Sequence, residues 1–219
     1  GNFNAMIKTI QANEKELNKK VNEKTNEVIR IKNMQFRMSP HYLYNSLNSI
    51  LALIHKNSDK CERALILLSN NYRFMTEISN KDLIYLKEEW KFMENYLEFE
   101  KIRYEKNVSI RLARPSIFPT LLIPPYTLQP IVENSFKHGW GEKDQLSISV
   151  KCLSIKNGVK LTFIDDGVGI DSPLKLERTM GNIIERLRYY YKDVSYSFAN
   201  QEEKGLRIEL VFENLKRTS

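Results

Sequence analysis

The texture of the chain changes near residue 106, and that change limits the folds open to it. Ahead of it, apolar residues recur every three or four positions. Beyond it, short β-like runs appear at 108–113, 146–153, 159–165, 194–199 and 206–212, with helical stretches at about 126–138 and 181–191 between them. Strands and helices mixed in this way read as α+β: one sheet covered by helices, preceded by an all-helical segment. At 219 residues the chain can bury a sizeable core, and it shows no internal repeat or low-complexity tract.

The helical half has its own organisation. Residues 5 to about 38 carry a heptad, with Ile7, Glu14, Val21, Val28 and Gln35 at one seam position and Ile10, Leu17, Lys24, Ile31 and Met38 at the other. Most are apolar, so a two-stranded coiled coil is expected, weakened by Glu14 and Lys24; a single amphipathic helix packing on its own domain is the alternative. Residues 41–56 continue as helix, Pro40 being tolerated in a first turn. Leu43, Leu47, Ile50 and Ile54 form one narrow stripe, and His41, Asn45 and Asn48 fall opposite. A second helix over about 60–79 repeats Leu65, Leu68, Tyr72 and Met75. The pair predicts an antiparallel hairpin, and two hairpins a four-helix bundle in a parallel homodimer. A third helix spans about 87–105. The expected domains are 1–38 as a signalling helix, 39–106 as the dimerising helices, and 107–219 as the sheet domain.

The net charge of +7 admits nucleic acid, anionic membrane or a phosphorylated ligand as partner. Near the N-terminus, however, Lys15, Lys19, Lys20 and Lys24 alternate with Glu14, Glu16 and Glu23, as on a solvated helix face, and aromatics are nearly absent. No nucleic-acid partner is expected. Cys61 and Cys152 have no Cys or His at metal spacing, which fits a reducing compartment. No run approaches the roughly 18 apolar residues of a membrane span. Opening at Gly1 inside a charged helix, the chain is expected to be a piece of a longer protein.

Four stretches carry chemistry. In Ser39-Pro40-His41-Tyr42-Leu43-Tyr44-Asn45, the histidine sits on a polar helix face, where a neutral imidazole can act as nucleophile. Asn45, one turn on, could orient the ring. The helix after Pro124-Pro125 buries Leu128, Ile131, Val132 and Ser135 and displays Glu133, Asn134, Lys137 and His138. A carboxylate, a carboxamide and a cation on one face suit magnesium and phosphate, although on chemistry alone an ordinary surface helix with i,i+4 pairs is the simpler reading. Asp165-Asp166-Gly167-Val168-Gly169-Ile170 follows a strand and by itself indicates a turn. The fourth stretch is Gly181-Asn182-Ile183-Ile184-Glu185-Arg186-Leu187.

In this order and spacing the four stretches resemble the LytS/YesM-type sensor histidine kinases. MSPHYLYNSLNSI is similar to that family's phosphoacceptor box, with Ser39 for the usual Asn and Tyr42 for Phe. PPYTLQPIVENSFKHG matches PPLLLQPLVENAIKHG almost residue for residue. The resemblance implies a Bergerat-type α/β sandwich of the gyrase and MutL class behind the helical hairpin. It implies ATP and Mg²⁺ as ligands, His41 as phosphoacceptor, Glu133 as polarising carboxylate and Asn134 as the metal ligand. It places Lys137 or His138 near phosphate and makes Asp165 the reader of adenine. Gly167 and Gly169 would let backbone approach the nucleotide, and Asn182 and Arg186 belong to the box that follows the lid. Asp166 stands where Asn is common. Glu177 and Thr179 stand where the lid glycines belong, and Gly181 lies two residues late. Those glycines let backbone N–H groups wrap the triphosphate, so the lid is the part expected to differ.

The implied activity is ATP-dependent autophosphorylation of His41, followed by transfer to an aspartate on a response-regulator receiver domain. The implied setting is the cytoplasmic side of a membrane protein anchored by an upstream transmembrane segment. One rival is a degenerate kinase that signals by conformation or partner binding. Another is a gyrase-class ATPase, against which the His41 box argues, because such an enzyme needs no acceptor helix.

Overall fold

The computed structural model describes residues 11, 13–17, 19–20, 40–78, 81–104, 107–116, 118–140, 145–170, 173–201 and 204–213. Two compact units result, Gly1–Arg37 and Met38–Ser219. In the first, residues 11, 13–17 and 19–20 are helical and exposed, and Lys20 pairs with Glu16 at 2.8 Å. The rest of the expected heptad, including Ile7, Ile10, Val21, Val28 and Ile31, lies outside the described residues.

The second unit opens with an antiparallel pair, α1 (Pro40–Ile54) and α2 (Ser58–Ile78). Helix α3 (Leu86–Arg103) follows, entered through a short strand β1 (Ile84–Tyr85). Its first turn holds Glu88 and Glu89 and its last turn Lys101 and Arg103, charges that complement the helix dipole. The Glu88 carboxylate accepts the Tyr85 N–H at 2.8 Å and satisfies one donor that the helix leaves open.

The remaining strands are β2 (Val108–Ala113), β3 (Leu122–Ile123), β4 (Leu146–Ile155), β5 (Gly158–Asp165), β6 (Val194–Asn200) and β7 (Leu206–Glu213). Between them lie α4 (Gln129–His138) and α5 (Pro173–Tyr190). Five strands form one mixed sheet in the order β2-β4-β5-β7-β6, with β2 parallel to β4 and every other pair antiparallel. In β4, buried Leu146, Ile148, Val150 and Cys152 alternate with Ser147, Ser149, Lys151 and Leu153 on the open side, so one face of the sheet is covered. Helices α3, α4 and α5 cover it, giving the expected α/β sandwich. The five strands fall where the β-like runs lie. The two-residue pair β1–β3 escapes a period-two reading because it is too short to show one.

Two apolar cores result. The larger joins the sheet to its helices through Trp90, Met93, Leu97, Ile131, Val132, Ile183 and Leu187, among others. The smaller joins α1, α2 and α3 through Ile50, Leu53, Ala64, Leu67, Leu68 and Phe99. Helix α3 contributes to both. The single stripe expected on α1 therefore divides: Ile50 turns inward, whereas Leu47 and Ile54 are 42% and 46% exposed. Tyr44, Leu51, Leu65, Ile66 and Tyr72 add to an apolar surface on the hairpin.

The α1–α2–α3 junction also buries polar groups. Ser46, Asn71 and Glu100 have almost no exposure, and with the Tyr42 hydroxyl they form no hydrogen bond of good geometry among the described residues. Glu100 is ion-paired with Arg103 at 2.6 Å. Burial, reinforced by the charge of Glu133 and opposed by Arg103, raises the Glu100 carboxyl from 4.5 to about 7. A raised carboxyl favours the protonated form in the folded state. Its contribution is therefore fully present below about pH 4.5 and is lost as pH rises through about 7. Chemical denaturation across that window should show stability falling toward neutral pH. Glu100→Gln should flatten the slope by about half, because Glu89 is raised to about 7 as well; an unchanged slope would contradict the assignment.

Candidate functional site

Two stretches of sequence 30 residues apart meet at the end of β5. Asp165 is the last residue of that strand and is 5% exposed. Its Oδ2 accepts the Ser135 hydroxyl of α4 at 2.7 Å, and its Oδ1 accepts the backbone N–H groups of Gly167 and Leu206 at 3.1 and 3.2 Å. Burial pushes the carboxyl up from its ordinary value, and these three donors pull it down. Each carboxylate oxygen can accept about two bonds, and among the described residues Oδ2 takes one. An acceptor position remains, aimed from a rigid strand end.

A cavity of about 510 Å³ opens beside it. Helix α4 and its C-terminal residue line one wall with Asn134, Ser135, Lys137, His138 and Gly139. Asp165 and the loop residues Val168, Gly169 and Ile170 form the base, and Leu176 and Thr179 of α5 with Leu206 of β7 form the opposite wall. The polar groups lie mainly along α4 and at Asp165, while apolar side chains dominate the far wall. This volume lies within the range of small-molecule sites.

Two of the glycines around this base show why glycine is required there. A Cβ on Gly167 would overlap the main chain of Gly139, so the α4 terminus can approach β5 only because none is present. Gly169 has φ +77°, and a Cβ there would meet the Asn200 side chain at 2.8 Å. Asn200 in turn accepts the Ile170 N–H at 2.9 Å and donates to the Ile170 carbonyl at 3.1 Å, while Gln201 donates to the Asp165 carbonyl at 2.8 Å. The β6–β7 connection thus fastens the loop in place. Neither Asn200 nor Gln201 is distinguishable in the sequence from an ordinary strand-end residue.

The expected residues do not all reach the cavity. Asn134, Lys137, His138, Asp165 and Gly169 line it. Glu133 is half-buried outside the lining, and its carboxylate pairs with Lys137 at 2.6 Å, one turn on. Asn182 is half-buried on α5 and also outside the lining. Arg186 is elsewhere: at 2% exposure its guanidinium donates to the Pro125 carbonyl beside the buried Glu89. It faces the core and not a ligand, because its turn of α5 points under the α4 entry loop. His41 lies in the first turn of α1, and its side chain is outside the described residues. Asn45, one turn on, is half-buried, and its neighbour Tyr42 packs on Tyr96 and Phe99 of α3 at 5.9 and 6.3 Å. Ser135 was legible only as a buried-face position; its hydroxyl is what ties α4 to Asp165.

The lid position differs in kind. Helix α5 begins at Pro173, about two turns before the expected start, so Glu177 and Thr179 are helical residues. Glu177 is exposed and outside the lining, where it does not repel an anion in the cavity, and Thr179 lines the wall. Neither position carries a glycine that would weaken a helix there.

Among the described residues no three His, Cys, Asp or Glu side chains converge to hold a metal ion. Asn134 at the cavity wall, with Glu133 beside it, offers oxygen donors that fit a magnesium ion whose other ligands come from a bound phosphate chain. Gly167→Ala should force α4 away from β5 at a cost on the order of 2 kcal/mol, lowering Tm by several degrees in a chain of this size. Scanning calorimetry tests this, and an unchanged Tm would mean that the two backbones are not in tight contact.

The family model described as histidine kinase matches residues 29–108. The chain is 34% identical over 143 residues to "Sensor protein LytS" of Staphylococcus haemolyticus, covering 64% of this chain and 24% of that protein. It is 29% identical over 174 residues to "Sensor histidine kinase/phosphatase LytS" of Staphylococcus aureus strain MRSA252, covering 74% and 30%. Among solved structures, the Acinetobacter baumannii histidine kinase AdeS shares 12% identity at a TM-score of 0.46, covering 79% of this chain and 97% of that one. The chain spans about a quarter of the length of the curated relatives it matches. In its matched segment and in its relatives alike, this chain is similar to histidine kinases.

Proposed function

We propose that the chain is the kinase portion of a two-component sensor: it binds Mg²⁺-ATP in the Asp165 cavity and phosphorylates His41, from which the phosphoryl group passes to a response-regulator aspartate. The observation that carries the reading is the convergence of Asn134, Lys137, His138 and Asp165 on one cavity, in a chain whose α1 holds a histidine in the matched segment. In this reading residues 39–106 are the dimerising and acceptor helices, 107–219 bind nucleotide, and 1–38 relay the signal.

The roles follow from position. Asp165 presents its remaining acceptor site to the exocyclic amine of adenine, and the positive φ of Gly169 lets the loop lie close to the base. Lys137 and His138 at the exposed end of α4 face the phosphates. Mg²⁺, held by Asn134 and phosphate oxygens, supplies charge neutralisation. The imidazole nitrogen of His41 forms the P–N bond as the bond between the terminal phosphorus and the ADP oxygen breaks, and the ring loses one proton. Glu133, paired with Lys137, is placed to hold or receive that proton, with Asn45 orienting the ring. Such transfers depend mainly on positioning and electrostatics. The exposed apolar residues of α1 and α2 are the surface for a second copy. No described helix is long and apolar enough to cross a membrane.

Incubation with radiolabelled Mg²⁺-ATP should leave acid-labile, base-stable label on the wild type and none on His41→Gln, with ATP affinity nearly equal in the two. Label retained by His41→Gln would sink the assignment. Asp165→Asn should weaken ATP and adenosine alike by roughly 10- to 100-fold, the worth of one charge-assisted hydrogen bond. Calorimetric titration reads this, and a selective loss of ATP alone would place Asp165 at the phosphates instead.

A further inference from the structure

We propose that Glu89 is a positioning residue for nucleotide binding: its buried carboxylate fixes the turn that launches α4 and, through Arg186, holds α5, so that one side chain sets both facing walls of the cavity. This rests on the nucleotide reading above.

Glu89 has no exposure. Its Oε2 accepts the Tyr126 N–H and its Oε1 the Leu128 N–H, each at 3.0 Å. These donors belong to the entry of α4, where a helix leaves backbone N–H groups open. Here they are met by a carboxylate from a different helix, 37 and 39 residues earlier in sequence. Tyr126 has φ 60°, a conformation that side chains other than glycine seldom hold without outside support. The turn is therefore set from α3. Arg186 reaches the same turn from α5, donating to the Pro125 carbonyl, with its charge beside Glu89.

The consequence is geometric. Asn134 and Lys137 lie on α4, six and nine residues past Leu128; Leu176 and Thr179 lie on α5, ten and seven residues before Arg186. A shift at the 125–128 turn or at Arg186 is carried by rigid helices to the groups that line the cavity. Asp165 is anchored mainly by β5 and by backbone donors from Gly167 and Leu206, with the Ser135 hydroxyl as its tie to α4. A disturbance at Glu89 should thus reach the phosphate side of the site more than the base side. A merely stabilising pair would show no such division.

The test titrates Mg²⁺-ATP and adenosine into the wild type, Glu89→Gln, Glu89→Asp and Glu89→Gln/Arg186→Met, with Tm measured for each. Glu89→Gln should weaken Mg²⁺-ATP by roughly tenfold or more while adenosine moves less than about threefold. Glu89→Asp keeps the charge opposite Arg186 but withdraws its oxygens by one methylene; it should fold and lose ATP affinity to an intermediate degree. The double variant removes both buried charges, so its Tm should recover relative to Glu89→Gln while its ATP affinity does not. Recovery of ATP affinity together with Tm, parallel loss of ATP and adenosine, or wild-type affinity in Glu89→Gln and Glu89→Asp would each overturn the proposal. A wild type that binds neither ligand would remove the nucleotide reading itself, an outcome distinct from these.

Discussion

Burial of two flanks of α3, with Lys87, Lys91 and Lys101 left to solvent, is the constraint on which the second unit depends. Leu86, Trp90, Met93 and Leu97 belong to the core beneath the sheet, and Phe99 to the core of the hairpin; Tyr96 meets Tyr42 on one flank and Phe136 on the other. A helix apolar on two flanks needs cover on both. It must be enclosed, and what encloses it is the α1–α2 hairpin on one side and the sheet with its helices on the other. Helix α1 and the cavity are consequently parts of one packed unit, linked through a shared helix.

That enclosure leaves polar groups in places where water does not satisfy them, and the two ends of α3 handle this differently. At its start, Glu89 is surrounded by backbone donors and an arginine, a full set of partners that rigidifies the entry to α4. Near its end, Glu100 keeps one close partner, Arg103, in a neighbourhood of Ser46, Asn71 and the Tyr42 hydroxyl that lack well-formed bonds.

The cavity shows the same economy of means. Its base rests on one carboxylate that faces three donors, and on two glycines that let backbone segments meet. Its far wall is formed by α5, so that side of the cavity is shaped by side chains such as Thr179 and by helix position. That wall should respond to whatever fixes α5.

Local pattern alone located the five sheet strands, the three N-terminal helices and α4, because period-two and period-3.6 burial are properties of consecutive residues. Asn134, Lys137, His138 and Asp165 were marked by the family resemblance, since local chemistry by itself read an ordinary surface helix and a turn. The start of α5 was missed because the absence of glycine is a weaker signal than its presence. Arg186 was misplaced because which way a helical residue faces at an interface depends on what packs there: it is the buried Glu89, 97 residues earlier, that draws the guanidinium into the core. The Ser135–Asp165 bond and the Gly167–Gly139 contact likewise join segments far apart in sequence, and only folding brings them within reach. Sequence determined which residues could do the chemistry; the tertiary structure decided which of them share a cavity, because that is a matter of long-range packing.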